Sequence, residues 1–481
     1  MTFTKQRTQP FRTANRPALS TVLPPLILGT ATFNTQYVSD PLSMPYEGIV
    51  RRAIELGVRA FDTSPYYGPS EDLLGRALAA ATAPGSPQRL PRSDYFLITK
   101  AGRVGPAEFD YSPTHLRYSI LRSLRRLHTP YLDLVYVHDV EFLPDDDSVI
   151  EAVRTLRHLR DEDHLIRYVG ISGFPPERLC ALADAVLRAT GEPLDAVLSY
   201  GHFTVQNRTL GLDELNALRS YRNGNDATYT NRNADRSVLA RLKASGVDVV
   251  LNASMLGMGL LTTAGIPPDP SEPAAPTPLN AKGAPLARWH PSPPALRLAC
   301  RDLAALATAS GGERLELVAI HWSLSEWSRV AASAGLGVRV DAATTNNATA
   351  TAGASVMGVT SVAELEETVV EWRAALRRLL RSSAPQAAAT NGDVGDDERH
   401  DRIIRLVEER MWPALGREWL DYSWDSPGEG FVNQRPPSRW GVVPDDDGIM
   451  ETYANAKKKA RLALEALSSP NERRAGTMVT V

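Results

Sequence analysis

Short apolar segments alternate with amphipathic segments eight times between residue 26 and about residue 380, and this pattern constrains the fold most. The apolar segments are predicted strands, namely Leu26–Thr30, Ala60–Asp62, Phe96–Lys100, Leu132–His138, Tyr168–Ser172, Asp195–Ser199, Val247–Ala253 and Ser355–Gly358. Helical periodicity between and after them predicts a crossover helix for each strand. Eight such units predict an α/β fold, a (β/α)8 TIM barrel. A doubly wound sheet is the rival fold, but no G-x-G-x-x-G motif follows the first strand.

Composition divides the rest of the chain. We expect residues 1–25 to form a disordered tail, residues 26–381 the barrel, residues 382–400 a linker and residues 401–481 a C-terminal extension. Three stretches of biased composition are predicted to be long loop insertions, at Tyr221–Arg236, Ile266–Pro294 and Ala332–Ala354. The extension contains two helical segments and an aromatic stretch. Its aromatic residues, which either dock on the barrel or shape the substrate mouth, are Trp412, Trp419, Tyr422 and Trp424.

Charge and cysteine content exclude several classes of function. The net charge is −3, which gives no electrostatic case for nucleic-acid binding. No apolar run reaches the ~18 residues of a membrane span, so no membrane association is predicted. The two cysteines, Cys180 and Cys300, are predicted to be reduced and buried. The first 20 residues are basic without an apolar core, which favours a plain tail and a cytoplasmic protein over a mitochondrial presequence.

Four polar residues follow the predicted strands in chain order. Asp62, Lys100 and His138 each end a strand, and Tyr67 lies in the loop after Asp62. Because strand ends share one mouth of a parallel barrel, we expect these four residues (the tetrad) to meet there. Lys100 is expected to lower the pKa of the tyrosine from its usual value of about 10. Asp62 would hold the lysine, and His138 would orient a substrate oxygen or pass a proton. The tetrad predicts proton transfer during a redox reaction at a carbonyl or alcohol.

The motifs around the tetrad resemble those of the aldo-keto reductases, a family of nicotinamide-dependent (β/α)8 oxidoreductases. The matching segments are Phe61–Gly68, Ile98–Lys100, Tyr131–His138 and Val169–Phe174. The resemblance covers roughly residues 26–380. It implies that Asp62, Tyr67, Lys100 and His138 are the catalytic residues, and that no metal is required.

Three departures from the usual family pattern point to its sugar-oxidising branch. Gly173 stands where many relatives have Asn, and Leu198–Phe203 lacks the usual Gln of the sixth strand. Ala253 replaces an aromatic residue that stacks on the nicotinamide ring in many relatives. The resemblance therefore implies oxidation of an aldose of the D-arabinose or L-galactose type at C1, giving the lactone. A small sugar is the only partner that this predicts, and the chain would act as a monomer or homodimer.

The resemblance also implies the cofactor site. Its predicted residues are Gly29, Thr30, Ser172, Ser199, Ser254, Leu256, Gly358, Thr360, Glu364 and Glu367. Glu364 sits where relatives that prefer NADP often have Arg, and the segment from 357 to 368 contains no Lys or Arg. A carboxylate there would repel a 2′-phosphate and accept a hydrogen bond from a ribose hydroxyl. We therefore expect NAD rather than NADP.

Two alternatives to an aldose dehydrogenase stay open. One is an NADPH-dependent reductase of aldehydes or ketones, against which the missing cation counts. The other is a regulatory subunit that binds the cofactor without turnover. Retention of Asp62, Tyr67, Lys100 and His138 favours catalysis over the second alternative.

Overall fold

A computed structural model describes residues 16–88, 90–222, 236–268, 286–340, 350–383 and 391–468. Most of the three predicted insertions lies outside these residues. The predicted strands and most of the predicted helices lie within them.

Eight parallel strands close into a barrel, as predicted. They are β1 (Leu26–Gly29), β2 (Ala60–Asp62), β3 (Phe96–Ala101), β4 (Leu132–Val137), β5 (Ile166–Gly173), β6 (Ala196–Tyr200), β7 (Val249–Ala253) and β10 (Ala354–Gly358). Each strand pairs with its neighbour along the chain, and β10 closes the barrel onto β1. The remaining two strands, β8 (Val338–Arg339) and β9 (Thr351–Ala352), form a short antiparallel pair.

Helices surround the barrel and continue into the C-terminal extension. Their bounds are α1 Tyr46–Glu55, α2 Ser70–Thr82, α3 Pro113–Arg126, α4 Asp146–Asp161, α5 Pro176–Thr190, α6 Leu212–Arg222, α7 Val238–Ala244, α8 Leu286–Trp289, α9 Pro294–Ala309, α10 Leu315–Ser333, α11 Val362–Ser383, α12 Asn391–Arg405, α13 Trp412–Trp419 and α14 Ile449–Ser468. Local sequence sets several ends. Ser112 caps α3 by accepting a hydrogen bond from the His115 amide, and Gly191 ends α5 with a left-handed φ of 72°.

Two apolar layers hold the barrel together. Inside it, side chains from alternate strand positions pack on one another, among them Ile98, Tyr136 and Tyr168. A larger layer lies between the strands and the surrounding helices. Gly75 on α2 belongs to this outer contact, because a Cβ atom there would collide with the backbone carbonyl of Arg126 on α3. Only glycine allows the two helices to approach so closely.

Two predicted boundaries differ from the structure. Within the predicted tail, a short 3-10 turn at Leu19–Thr21 places the fully buried Leu19 among the residues inside the barrel. Within the predicted linker, α12 begins at Asn391. Both segments are ordered by burial, since Leu19 packs inside the barrel and Ile403 on α12 joins the outer apolar layer.

The extension packs on the barrel through α12, a π-helical turn at Leu406–Met411, and α13. Trp412 is buried there and donates its indole N–H to the Val205 carbonyl at 3.0 Å. Among the described residues, no helix is long and apolar enough to cross a membrane.

Candidate active site

A cavity of about 840 Å³ opens at the carboxyl ends of the barrel strands. The four tetrad residues Asp62, Tyr67, Lys100 and His138 all line it. It extends from them past the loop that follows β7 to the start of α11. The predicted convergence of the tetrad is therefore found in the structure.

Strand register brings these side chains together. Asp62 is the last residue of β2 and pairs with Ile98 of β3, two residues before Lys100. The amide of His138, just beyond β4, donates to the Ala101 carbonyl at the end of β3. Tyr67 reaches the same mouth from the loop after β2, where Gly68 turns the chain with a φ of 58°.

Asp62 and Lys100 form a buried ion pair. The Lys100 Nζ atom lies 2.5 Å from Oδ1 of Asp62 and also donates to the Thr63 carbonyl at 3.0 Å. Both residues are at most 3% exposed. Burial raises the pKa of Asp62, and the charge of Lys100 opposes that rise.

Tyr67 differs from the sequence-based expectation. Its ring centroid lies 4.9 Å from Nζ of Lys100, yet its pKa is raised well above 10 rather than lowered. Burial is the main cause of the raised pKa, followed by the charges of Asp62 and Asp139. The Asp62 carboxylate compensates the lysine charge that was expected to favour the phenolate. In the ligand-free protein Tyr67 is therefore a protonated phenol.

His138 is a neutral imidazole. Burial lowers its pKa to about 3, so it carries no charge at neutral pH. Its Nδ1 atom lies 3.2 Å from the Ser64 hydroxyl, and its ring meets the Tyr67 ring edge to face with centroids 5.8 Å apart. A neutral imidazole can take part in hydrogen bonds with a ligand, but it cannot act as a cationic acid.

Two charged residues that the sequence analysis did not select lie beside the tetrad. Arg103 and Asp139 both line the cavity, and Nη1 of Arg103 lies 2.5 Å from Oδ2 of Asp139. Each follows a tetrad residue closely in the chain, Arg103 three residues after Lys100 and Asp139 directly after His138. Their positions just after strand ends could have identified both residues from the sequence, because loops at this face of a barrel carry functional residues.

Eight of the ten predicted cofactor residues line the cavity. They are Gly29, Ser172, Ser254, Leu256, Gly358, Thr360, Glu364 and Glu367. The other two, Thr30 and Ser199, lie behind its wall. The Thr30 hydroxyl bonds to Ser70 and to the Asp62 carbonyl, and the Ser199 hydroxyl bonds to the Phe174 carbonyl and the His202 ring. Both hydroxyls hold the walls of the site together.

Gly173, which stands where many aldo-keto reductases have Asn, has a steric explanation. A Cβ atom at this position would collide with Oε2 of Glu141. Oε1 of Glu141 accepts hydrogen bonds at 3.0 Å from the Phe174 amide and from the Ser426 hydroxyl. Burial raises the pKa of Glu141 to about 8. The Glu141 carboxyl group therefore occupies the space that an asparagine side chain would need.

The cavity suits a dinucleotide bound along its length. Four residues in the loop after β7 have positive φ, namely Ser254, Gly257, Met258 and Gly259. Leu256, with a φ of −95°, precedes the left-handed Gly257. A right-handed residue followed by a left-handed one can turn successive amide groups toward one side, a geometry that binds phosphate groups. The tetrad lies at one end of the cavity and the carboxylates of Glu364 and Glu367 at the other.

The distant end also contains a cation. Arg314, at the start of α10, lines the cavity beside the segment in which the sequence shows no Lys or Arg. Its Nη2 atom lies 2.6 Å from Oε1 of Glu367 and its Nη1 atom 3.6 Å from Oε1 of Glu316. Glu364 accepts hydrogen bonds from the amide and hydroxyl of Thr360. The arginine is thus already paired with carboxylates.

The C-terminal extension supplies part of the cavity wall. Residues 424–428 line it, and Trp424 stacks on Phe174 with ring centroids 4.8 Å apart. Asp421 anchors this segment to Arg208, and the Ser423 hydroxyl bonds to the His202 ring at 3.1 Å. The sequence left two roles open for the aromatic residues of the extension, and the structure shows both. Trp412 docks on the barrel, and Trp424 shapes the mouth of the cavity.

Other candidate chemistries find no support in the described residues. In the part of the chain that the structure describes, no group of three His, Cys, Asp or Glu side chains is placed to hold a metal ion. Cys180 and Cys300 are buried and unpaired, and burial raises the pKa of each thiol to about 12. Neither is a reactive thiolate at neutral pH.

Sequence comparison relates the chain to known proteins. The chain is 42% identical to D-arabinose 1-dehydrogenase of Saccharomyces cerevisiae over 239 residues, which is 49% of this chain and 62% of the yeast protein. It is 35% identical to L-galactose dehydrogenase of Arabidopsis thaliana over 278 residues, which is 57% of this chain and 69% of the plant protein. The match thus spans less than two thirds of the yeast protein. The sequence profile described as "Aldo/keto reductase family" matches residues 25–377, and the chain belongs to that family of oxidoreductases.

Proposed function

We propose that this protein oxidises an aldose at C1 to the aldonolactone, with NAD as hydride acceptor. The observation that carries the proposal is the convergence of Tyr67, the Asp62–Lys100 pair and neutral His138 in one cavity, which the loop after β7 and the start of α11 also line. The activities named for the yeast and plant relatives support an aldose as the substrate.

Each tetrad residue has a role in this reaction. Tyr67 removes the proton from the anomeric hydroxyl, while His138 holds the same oxygen by a hydrogen bond. The Asp62–Lys100 ion pair holds one negative and one positive charge in fixed positions next to Tyr67. A nicotinamide cofactor bound in the cavity would supply the hydride acceptor. Ser172, which lines the cavity at the end of β5, would hold the carboxamide of its ring.

Activity is expected to depend on pH differently in the two directions. The pKa of Tyr67 is raised, so the phenolate needed for oxidation is scarce at neutral pH. We expect kcat/KM for oxidation to rise from pH 7 to pH 10, whereas kcat/KM for lactone or aldehyde reduction stays flat over that range. His138 adds no inflection above pH 5, since its pKa is about 3. Initial rates in both directions across this range test the assignment, and oxidation that falls with rising pH contradicts it.

The choice of NAD over NADP follows from charge. Glu364, Glu367 and Glu316 line the distant end of the cavity, and Arg314 is paired with two of them. Three carboxylates around one arginine leave an excess of negative charge where a 2′-phosphate would bind. We therefore expect a higher kcat/KM with NAD than with NADP, and equal or higher values with NADP would contradict this.

Removing one carboxylate partner of Arg314 should weaken the preference for NAD over NADP. In Glu367→Gln the arginine loses its 2.6 Å carboxylate contact and becomes able to pair with a phosphate. We expect the ratio of kcat/KM for NADP to that for NAD to rise about tenfold, which corresponds to about 1.4 kcal/mol. Glu366→Gln is a matched control, because Glu366 pairs with Arg52 outside the cavity. Equal ratios in both variants would rule out Glu367 as a determinant.

A panel of aldoses tests the proposed activity directly. We expect NADH formation from NAD with pentoses or hexoses such as D-arabinose and L-galactose. Because Tyr67 is protonated in the ligand-free protein, reduction of aldehydes is the second candidate. Faster turnover of simple aldehydes with NADPH would favour that reductase. Binding of NAD without turnover of any substrate would favour a regulatory role.

A further inference from the structure

The function proposed above gives the Arg103–Asp139 pair no contact with the substrate, yet the pair lines the same cavity beside the tetrad. Asp139 is 2% exposed and lines the cavity with Arg103. Its Oδ2 atom lies 3.5 Å from Nε2 of His138. Buried charges of this kind are costly unless they are paired, so the pairing with Arg103 keeps the carboxylate ionised beside the reacting centre.

The backbone fixes where this carboxylate points. Asp139 has a φ of +49°, in the left-handed region that residues other than glycine seldom adopt. The Tyr111 hydroxyl holds the strained turn by donating to the His138 carbonyl at 2.6 Å, with the Asp139 carbonyl as a second, more distant acceptor at 3.1 Å. Strain of this type persists only where the surroundings enforce it, and it concentrates at functional sites.

Arg103 is held as firmly as its partner. Its guanidinium group lies over the Tyr66 ring, 3.9 Å from the centroid, and donates to the Pro106 carbonyl at 3.0 Å. The pair is neutral overall, so it does not attract an anionic substrate. The Asp139 carboxylate can nevertheless accept a hydrogen bond from an uncharged substrate that carries a hydroxyl group.

A donor and an acceptor therefore lie side by side above the tetrad. The Nε2 atom of His138 lies 3.5 Å from Oδ2 of Asp139. The Ser64 hydroxyl lies 3.2 Å from Nδ1, on the other side of the ring. When that hydroxyl donates to Nδ1, the imidazole proton is on Nε2, where it can bind a substrate oxygen. Two oxygens on adjacent carbons of one substrate can reach both groups.

We propose that Asp139, held by Arg103, accepts a hydrogen bond from the hydroxyl on the carbon next to the reacting carbon, and so selects 2-hydroxy substrates. The inference deepens the proposed redox function at this site and rests on it. A site built to bind a substrate hydroxyl discriminates strongly against an analogue that lacks it, because its buried polar group is then left unpaired.

Paired substrates that differ by this hydroxyl test the proposal. One pair is D-arabinose and 2-deoxy-D-ribose (D-arabinose without its C2 hydroxyl), oxidised with NAD. The other is lactaldehyde (2-hydroxypropanal) and propanal, reduced with NADH. We expect the wild-type protein to favour the hydroxylated member of each pair by about 10²-fold or more in kcat/KM. Asp139→Asn, which keeps the shape of the side chain, should reduce that preference at least about tenfold.

Glu108→Gln is the control, because Glu108 belongs to the loop that carries Arg103 but lies outside the cavity. It should keep the wild-type preference. An equal loss on both members of a pair in Asp139→Asn would make Asp139 a structural residue and overturn the proposal, as would a wild-type protein without the preference. Asp139-dependent selection of lactaldehyde without turnover of any aldose would overturn only the aldose function. No turnover of any of the four substrates would overturn both.

Discussion

Replacing Tyr67 with Phe is expected to lower kcat for aldose oxidation roughly 10³-fold, the scale of a lost general acid or base. The substitution removes only the hydroxyl, so the ring can keep its contacts with His138 and Lys100. Steady-state rates with saturating NAD, together with NAD binding followed by protein fluorescence, separate lost chemistry from lost binding. We expect the NAD dissociation constant to change little.

Tyr66→Phe is the matched control for this experiment. Tyr66 is the neighbouring residue, and its ring centroid lies 6.2 Å from that of Tyr67. Its hydroxyl contacts the Gln36 side chain at 3.4 Å, and its ring supports Arg103, which phenylalanine would also do. We expect the control to lose much less activity than Tyr67→Phe. Comparable losses in the two variants, or full activity in Tyr67→Phe, would exclude Tyr67 as the proton-transfer group.

Replacing Lys100 with Met is expected to produce the largest loss of stability. The substitution leaves the Asp62 carboxylate buried and without its 2.5 Å partner. Removing one member of a buried ion pair typically costs about 3–5 kcal/mol. Urea denaturation should therefore show a clear fall in the midpoint, and the variant should have no aldose dehydrogenase activity.

The double variant Asp62→Asn with Lys100→Met distinguishes charge from packing. It removes both charges, so we expect it to recover much of the stability that Lys100→Met loses, while activity stays absent. Arg188→Met serves as a control, because Arg188 forms an exposed pair with Asp184 on the surface of α5 and its loss should change the midpoint little. A double variant as unstable as Lys100→Met would show that packing of the lysine, not its charge, stabilises this region.

The fold and the positions of the tetrad could be predicted from the sequence because both depend on local signals. Runs such as Leu132–His138 combine an apolar strand with a polar end, and eight such units have one favourable closed arrangement. Strand ends of a parallel barrel share a face, so Asp62, Lys100 and His138 had to converge. Segments stabilised by distant contacts were harder to predict. Leu19 is ordered by packing inside the barrel, and α12 by packing with the outer apolar layer.

The sequence alone determined the barrel, the four tetrad residues and the carboxylates at the far end of the cavity, because each follows from the order of residues along a strand or helix. The electrostatics of the site depend on tertiary contacts. The pKa of Tyr67 is raised because burial and two aspartates outweigh a lysine already paired with Asp62. Arg314 meets Glu367 across 53 residues of chain, and Trp424 reaches the cavity from the extension. Such contacts depend on distance through space and on the exclusion of water, neither of which is written in the local sequence.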